Sequence, residues 1–370
     1  MAYVAVKGGH KAIEESIRRL KYERLKKGKS VSTCDIESSM RALIDQIMSE
    51  SSIYDENLAS IAIKQSEGSP EESVFLLRAF RSTLPRKHYS RIIESEDMNI
   101  ERRISSGFKD IPGGQILGSS YDYTHRLIDF DLIKKESKEE IEKWLNDFNN
   151  KKSNDINPSK LKFQKVLDYL RKEKIMKDYE LNNTNPKDIT KGSLSFPTER
   201  SERLQILTRG QTGAVTALGY ASLRGFGSVH PTIGELRVGN FPVYIDSPLE
   251  NDSKEDNSYY VGEFKATEVE SIITTTMKKP DGSREEQFEI GYGVCFGQNE
   301  TKAIAMSILD KCLEIGGDSP THNEEFVLYH IDSVESTGFI SHLKLPHYVT
   351  FQSKLDSVRK TRREKNDQQL

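Results

Sequence analysis

Residues 100–126 gather the side-chain types that bind anions. Arg102, Arg103, Lys109 and Arg126 could neutralise a polyphosphate, and Gly113-Gly114 would let backbone N–H groups come close to one. The segment contains neither a Walker A run nor GxGxxG, so it is not a P-loop or a Rossmann fingerprint. The competing reading is a solvated basic face leading into a turn. If residues 121–125 are extended, Tyr121, Tyr123 and His125 share one face. Such a face could stack a nucleobase and offer a proton to its ring nitrogen, although a half-buried aromatic face with a satisfied histidine fits the same pattern. Asp110, beside the basic cluster, and Glu235, in His230-Pro-Thr-Ile-Gly-Glu-Leu-Arg237, are candidate general bases or oxocarbenium stabilisers, with His125 as a third acid-base candidate. Lys7-Gly8-Gly9-His10 is a further possible anion nest.

Four of the eight histidines, His322, His330, His342 and His347, fall near the carboxyl end. His342 and His347 are five apart, about 140° around a straight helix and on opposite faces of a straight strand. No regular element would let them share a metal. Pro346 forces an irregular path through Leu345, and a bent loop could bring both imidazoles to a borderline ion such as zinc. Two ligands do not close a tetrahedral site, so others would come from water, a phosphate or another chain. Structural or surface histidines are the alternative. Lys344, between them, is a candidate substrate-binding cation.

The elements that must position these residues follow from periodicity and punctuation. A short alternation (Tyr3, Val4, Val6) breaks at Gly8-Gly9 before a charged helix from about Lys11 to Lys27. Met40, Leu43, Ile44, Ile47 and Met48 mark one buried helical face, and Ser69-Pro70-Glu71-Glu72 caps a helix over Val74 to Leu84. The Asn- and Lys-rich residues 146–155 read as a linker, and Lys160 to Met176 as an amphipathic piece. Ser201 to Leu223 reads as a helix weakened by glycines. Strands are expected at Phe241–Ile245, Tyr259–Phe264, Ala266–Met277 and Gln287–Phe296, with a turn at Pro280-Asp281-Gly282. A helix capped by Asn299 should run to Leu313. The expected fold class is α+β, in four parts: a mainly helical 1–145, a variable 146–197, an antiparallel-sheet-plus-helix unit over 198–318, and a His-bearing extension with a basic tail over 319–370.

Composition limits the partners. With 54 Lys and Arg against 57 Asp and Glu, the formal charge is −3, which gives no global reason to expect nucleic acid. No stretch reaches the roughly 20 apolar residues of a membrane span. Cys34, Cys295 and Cys312 are too few and too scattered for a self-contained iron-sulfur or zinc-ribbon site, and a reducing, cytoplasmic location fits them.

Several runs resemble one family. Tyr3-Val-Ala-Val-Lys-Gly-Gly9, Glu101-Arg-Arg-Ile-Ser105, Lys109-Asp-Ile-Pro-Gly-Gly-Gln115, Tyr121-Asp-Tyr-Thr-His-Arg-Leu127, Glu325-Phe-Val-Leu328 and Ser341-His-Leu-Lys-Leu-Pro-His-Tyr-Val349 together resemble the PhnI subunits of the bacterial carbon-phosphorus lyase core complex. The resemblance implies a role in phosphonate catabolism. With the G, H and L subunits, such a chain displaces adenine from C1′ of ATP by a phosphonate, giving ribose 1-methylphosphonate 5-triphosphate. Alone it acts as a purine nucleosidase on ATP or GTP. The resemblance also implies that His342 and His347 hold zinc facing the J subunit, which carries out the later radical cleavage. The stretch from Gly234 to Leu313 looks like the G subunit, suggesting a pseudo-dimer with G and self-association through the core complex. Residues 134–191 depart from the family pattern. Cleaving an N-glycosidic bond needs a donor to the purine, negative charge near C1′ and clamps on the triphosphate. Arg102, Arg103, Lys109, Arg126, Gly113-Gly114 and Tyr121 are the expected substrate contacts. A non-catalytic scaffold role in the same complex is the alternative.

Overall fold

The helical spacing of Ile44, Ile47 and Met48 produces α3 (Arg41–Ser51), whose apolar stripe is fully buried. It packs with α2 (Thr33–Ser39), α4 (Glu56–Gln65) and α5 (Pro70–Ser82) around Ile36, Ala59, Ile63, Val74 and Leu77. Ser69 caps α5 and Pro70 occupies its first turn, as the capping pattern requires. Helix α1 (Gly9–Leu25) precedes this bundle and buries none of its own residues. The computed structural model describes residues 8–152, 163–176, 184–226, 230–248, 257–278 and 281–367. The expected strand at Tyr3–Val6 lies outside them, as do Lys7 of the Gly8-Gly9 turn and Pro280.

A four-stranded antiparallel sheet in the order β1-β2-β3-β4 forms the second part of the core. Its strands are β1 (Asn99–Ile104), β2 (Thr232–Asp246), β3 (Ser258–Lys278) and β4 (Arg284–Phe296). Strand β1, drawn from the mainly helical region, carries Arg102 and Arg103 into the sheet edge against Val238 and Arg237. The strands expected at Tyr259–Phe264 and Ala266–Met277 are one continuous strand, and β2 begins nine residues before Phe241. The cause is visible in the register. Glu235 and Arg237 occupy buried positions of β2 where alternation would lead one to expect apolar side chains, and Lys265, where the two expected strands parted, stays in β3 with its ammonium 2.7 Å from Glu101.

The two faces of the sheet are built differently. On one lies α10 (Glu300–Ile315), N-capped by Asn299 as expected. Its Ala303 packs with Leu236, Val238, Val269 and Cys295, and the helix approaches β4 closely at Gly291 and Gly293. A Cβ on either glycine would lie about 2 Å from the carbonyl oxygen of Ser307 or Ala303, so no side chain fits there. The other face carries Arg103, Glu235, Arg237, Glu268, Glu270 and Tyr292, placed together by the period of two. Residues 163–176, including α7 (Asp168–Lys172), cover it.

The helix expected over Ser201–Leu223 is two helices, α8 (Arg200–Arg209) and α9 (Thr212–Ala221). They part at Gly210-Gln211, where the Gln211 N–H donates to the Ile331 carbonyl at 2.7 Å. The expected linker at 146–155 is helical as far as it is described: α6 (Lys138–Lys152) starts from a Ser137–Glu140 capping pair. Carboxyl-terminal residues are not all peripheral, because α11 (Glu324–His330) and Ile331 join the core of Leu207, Val215, Met306 and Leu309. Helices α12 (Ser333–Ser341) and α13 (Tyr348–Asp367) follow.

Candidate functional site: a histidine pair and a polar cleft

The histidine pair is built by two helix ends and one proline. Asp332 accepts hydrogen bonds from Val334 and Glu335 N–H at the start of α12, and Arg78 of α5 holds the same carboxylate at 2.6 Å. At the end of α12, His342–Lys344 form a single 3-10 turn closed by Leu345 N–H to His342 O at 2.9 Å. Leu345 is then extended (ψ 156°), as a residue before proline must be, and α13 starts at Tyr348. This reversal brings the two imidazole rings to 5.3 Å between centroids. Neither a straight helix nor a straight strand would do so.

Both Nδ1 atoms face backbone carbonyls, that of His342 against Phe339 and that of His347 against Leu345 at 2.6 Å. With Nδ1–H donating, each ring keeps its Nε2 lone pair for another partner, the arrangement by which a second hydrogen bond orients a metal-ligating histidine. His342 is half-buried, and His347 and Lys344 are exposed. Among the described residues no third His, Cys, Asp or Glu joins them, so those residues offer two ligands there. Exposed apolar side chains surround the pair, among them Phe339, Leu343, Tyr348 and Phe351.

The basic and glycine-rich segment is divided between two places. One is a cleft of about 540 Å³ between the start of α3, residues 119–126 and the start of α10. Tyr121 and Arg126 line it, with Arg41, Gln298 and Asn299 opposite. The expected extended run is a 3-10 turn, Tyr121–Tyr123, so Tyr121, Tyr123 and His125 do not form one strand face. Arg126 lies 6.0 Å from the Tyr121 ring and 3.3 Å from Asp122. Arg102 is buried beneath, 2.8 Å from Glu300 and with its guanidinium 5.7 Å from the Tyr123 ring. Asp45, which the sequence reading did not select, forms part of the wall; burial raises its pKa, against the opposing hydrogen bond from Gln298 N–H at 2.9 Å. Its sequence signal was an acid set inside the apolar stripe of α3.

The other place is the charged face of the sheet. Arg103 is completely buried, and its Nε donates to Glu235 at 2.6 Å while another nitrogen donates to the Gln164 carbonyl at 2.9 Å. The second Glu235 oxygen accepts from Val166 N–H at 3.0 Å. This pair is therefore inside the fold: Arg103 does not reach a solvent-borne phosphate, and Glu235 has no free oxygen for general-base work. The Gly113-Gly114 turn wraps over the same arginine, with Pro112 O accepting from it and no room at Gly113 for a Cβ against Phe163. Lys109 and Asp110 are exposed on this loop and do not line the cleft. His125 is exposed and, among the described residues, makes no hydrogen bond or ion pair.

Alongside, Arg237 and Lys165 converge on Glu268, which also accepts from Ser95 at 2.7 Å and from the Tyr292 hydroxyl at 2.9 Å. Burial alone would raise the Glu268 pKa, but the charges of Arg237 and Lys165 outweigh it and bring it down to about 2.

Comparison with known proteins decides the family. Residues 2–365 match the family described as "Bacterial phosphonate metabolism protein (PhnI)". The chain belongs to the PhnI family. It is 39% identical over 373 residues to the "Alpha-D-ribose 1-methylphosphonate 5-triphosphate synthase subunit PhnI" of Escherichia coli (strain K12), covering 98% of this chain and 99% of that one. The Rhizobium meliloti (strain 1021) protein of the same name is 37% identical, covering 98% of this chain and 95% of the relative. A "Putative C-P lyase subunit protein HtxH" of Stutzerimonas stutzeri is 41% identical, covering 98% and 96%. As a PhnI-family chain it is a subunit of the carbon-phosphorus lyase system of phosphonate metabolism. Among the described residues no helix is long and apolar enough to cross a membrane.

Proposed function

We propose that the chain, with G, H and L subunits, catalyses displacement of adenine from C1′ of ATP by a phosphonate, and that by itself it releases the base from ATP or GTP. A phosphonate oxygen attacks C1′, the bond from C1′ to the purine nitrogen breaks, and the leaving base takes a proton from a general acid; in the chain alone water attacks C1′ instead and gives up the proton that the base gains. The observation that carries this reading is the histidine pair, two imidazoles 5.3 Å apart with both Nδ1 atoms occupied by backbone carbonyls. That donor set fits zinc, with remaining ligands from the J subunit, water or substrate, and zinc held there would supply positive charge to a phosphate or phosphonate oxygen. Exposed Lys344, Arg126, Lys109 and Tyr121 are available to orient the triphosphate and base. Asp110 and His125 are the exposed acid-base candidates. Buried Arg102, Arg103 and Glu235 act through the fold by fixing the loops that present these groups.

The test is release of free adenine by the purified chain, alone and with G, H, J and L subunits, for the native protein and for His342→Ala and His347→Ala. Loss of bound zinc and of base release in the assembled complex is expected. Unchanged metal content and unchanged release would remove the metal role. A scaffold reading has its own support in the exposed side chains of Leu127, Ile128, Phe130, Leu132 and Ile133, which suit a protein interface. No adenine release, even with every partner present, would favour it.

A further inference from the structure

A second cavity, of about 490 Å³, lies between α5, α8, α11 and residues 189–194. Two arginines, Arg78 and Arg209, line it, but they are in opposite conditions. Arg78 is fully engaged, donating to the Glu50 carbonyl at 3.0 and 2.8 Å, to the Arg209 carbonyl at 3.1 Å and to Asp332 at 2.6 Å. The half-buried Arg209 guanidinium has no carboxylate or hydrogen-bond partner among the described residues, and its Nε is buried without one. Burial, with the like charges of Arg78 and Arg81 nearby, lowers its pKa to about 10.

The neighbouring acids do not answer that charge. Asp332 is committed to Arg78 and to the start of α12, and Asp188 to Arg86 and Thr190. Glu335 is exposed at the rim. Buried guanidinium N–H groups are strongly disfavoured without an acceptor. The cavity wall also carries Ile206, Leu328, Ile331 and Tyr329, which would contact an organic substituent.

We propose that this cavity is an oxyanion site in which the Arg209 guanidinium takes the phosphate or phosphonate group of a small organic ligand. It is separate from the histidine pair. Asp332 stands at the start of α12 and His342 at its end, about 15 Å apart along the helix. The site goes beyond the reaction proposed above and does not depend on it.

The full chain is titrated calorimetrically with inorganic phosphate, methylphosphonate and ATP at fixed ionic strength, and its melting temperature is recorded in parallel. Saturable binding is expected, weakened at least tenfold in Arg209→Met. Without ligand, that variant should melt no lower than the native chain, because the substitution removes a half-buried charge whose Nε is buried without an acceptor. A purely structural arginine would instead leave binding unchanged and lower the melting temperature. Ser193→Asp, which places a carboxylate in the cavity wall, should also suppress binding and serves if Arg209→Met does not fold. Equal response to phosphate and methylphosphonate identifies a free oxyanion, and response to ATP alone identifies the phosphate arm of a nucleotide. His342→Ala should keep the binding. No saturable binding to any probe, binding unchanged in both cavity variants, or its loss in His342→Ala would overturn the proposal.

Discussion

The charged face of the sheet and the histidine turn both drew attention as chemistry-bearing sequence, and the fold treats them in opposite ways. Arg103, Glu235, Arg237 and Glu268 are buried and saturated with partners. His347 is exposed and His342 half-buried; the two rings are close together, and each keeps Nε2 for a ligand when its Nδ1–H donates to the backbone. A charged residue whose every donor or acceptor is used inside the protein is doing structural work. Side chains oriented by the backbone but incompletely partnered are the ones available to a ligand. The cleft beside α10 lies between these extremes, with buried Arg102 below and exposed Arg126 above.

The sharpest way to break this contrast is to remove one member of the buried pair. Glu235→Ala strands the Arg103 guanidinium inside the fold and should destabilise the chain by about 3–5 kcal/mol in urea unfolding. A loss below about 1 kcal/mol would mean that Glu235 is solvated and open to chemistry after all. A similar effect, expected at about 3 kcal/mol, concerns pH. The Glu268 carboxyl is lowered from 4.5 to about 2 in the fold. Its contribution is therefore fully present above the unfolded value of 4.5 and is lost as pH falls toward 2. The slope of unfolding free energy between those values should flatten in Glu268→Gln, and an unchanged slope would move the titrating group elsewhere. Next in size is Gly113→Ala. With φ at +83° and the Phe163 ring in the way, the added methyl should cost about 1–3 kcal/mol in thermal unfolding. A neutral result would free this turn for the anion role that its sequence suggested.

What could be read from the sequence depended on how far local pattern controlled the outcome. The α3 stripe, the Ser69-Pro70 start of α5 and the Asn299 cap of α10 were readable because cap chemistry and helical spacing act over a few residues. Strand β1 was hidden inside a basic motif. Buried Glu235 and Arg237 likewise hid the start of β2, since charges on a buried strand break the alternation that reveals it, and Lys265 made β3 look interrupted. The commitment of Arg103 to Glu235 spans 132 residues of sequence, and nothing near either residue encodes it. The histidines are the reverse case. Pro346 signalled an irregular path, but only the observed turn shows that the path closes on a ring separation of 5.3 Å. Arg209 carried no local signal at all, because its missing partner is a property of the assembled cavity.

The smallest effect on stability is expected at the histidine turn, and there the comparison can be made most precise. His342→Ala and His347→Ala remove one half-buried and one exposed ring whose intramolecular hydrogen bonds are local, so unfolding free energies should change by no more than about 0.5 kcal/mol. Metal content measured on the same preparations should fall with either substitution, because each ring offers one Nε2 and the chain has no third ligand among its described residues to compensate. Lost stability with unchanged metal would make the pair a structural feature like Arg103 and Glu235. Lost metal with unchanged stability would separate the two regions by experiment: on the sheet face, charge holds the fold; at the histidine turn, the fold holds the ligands.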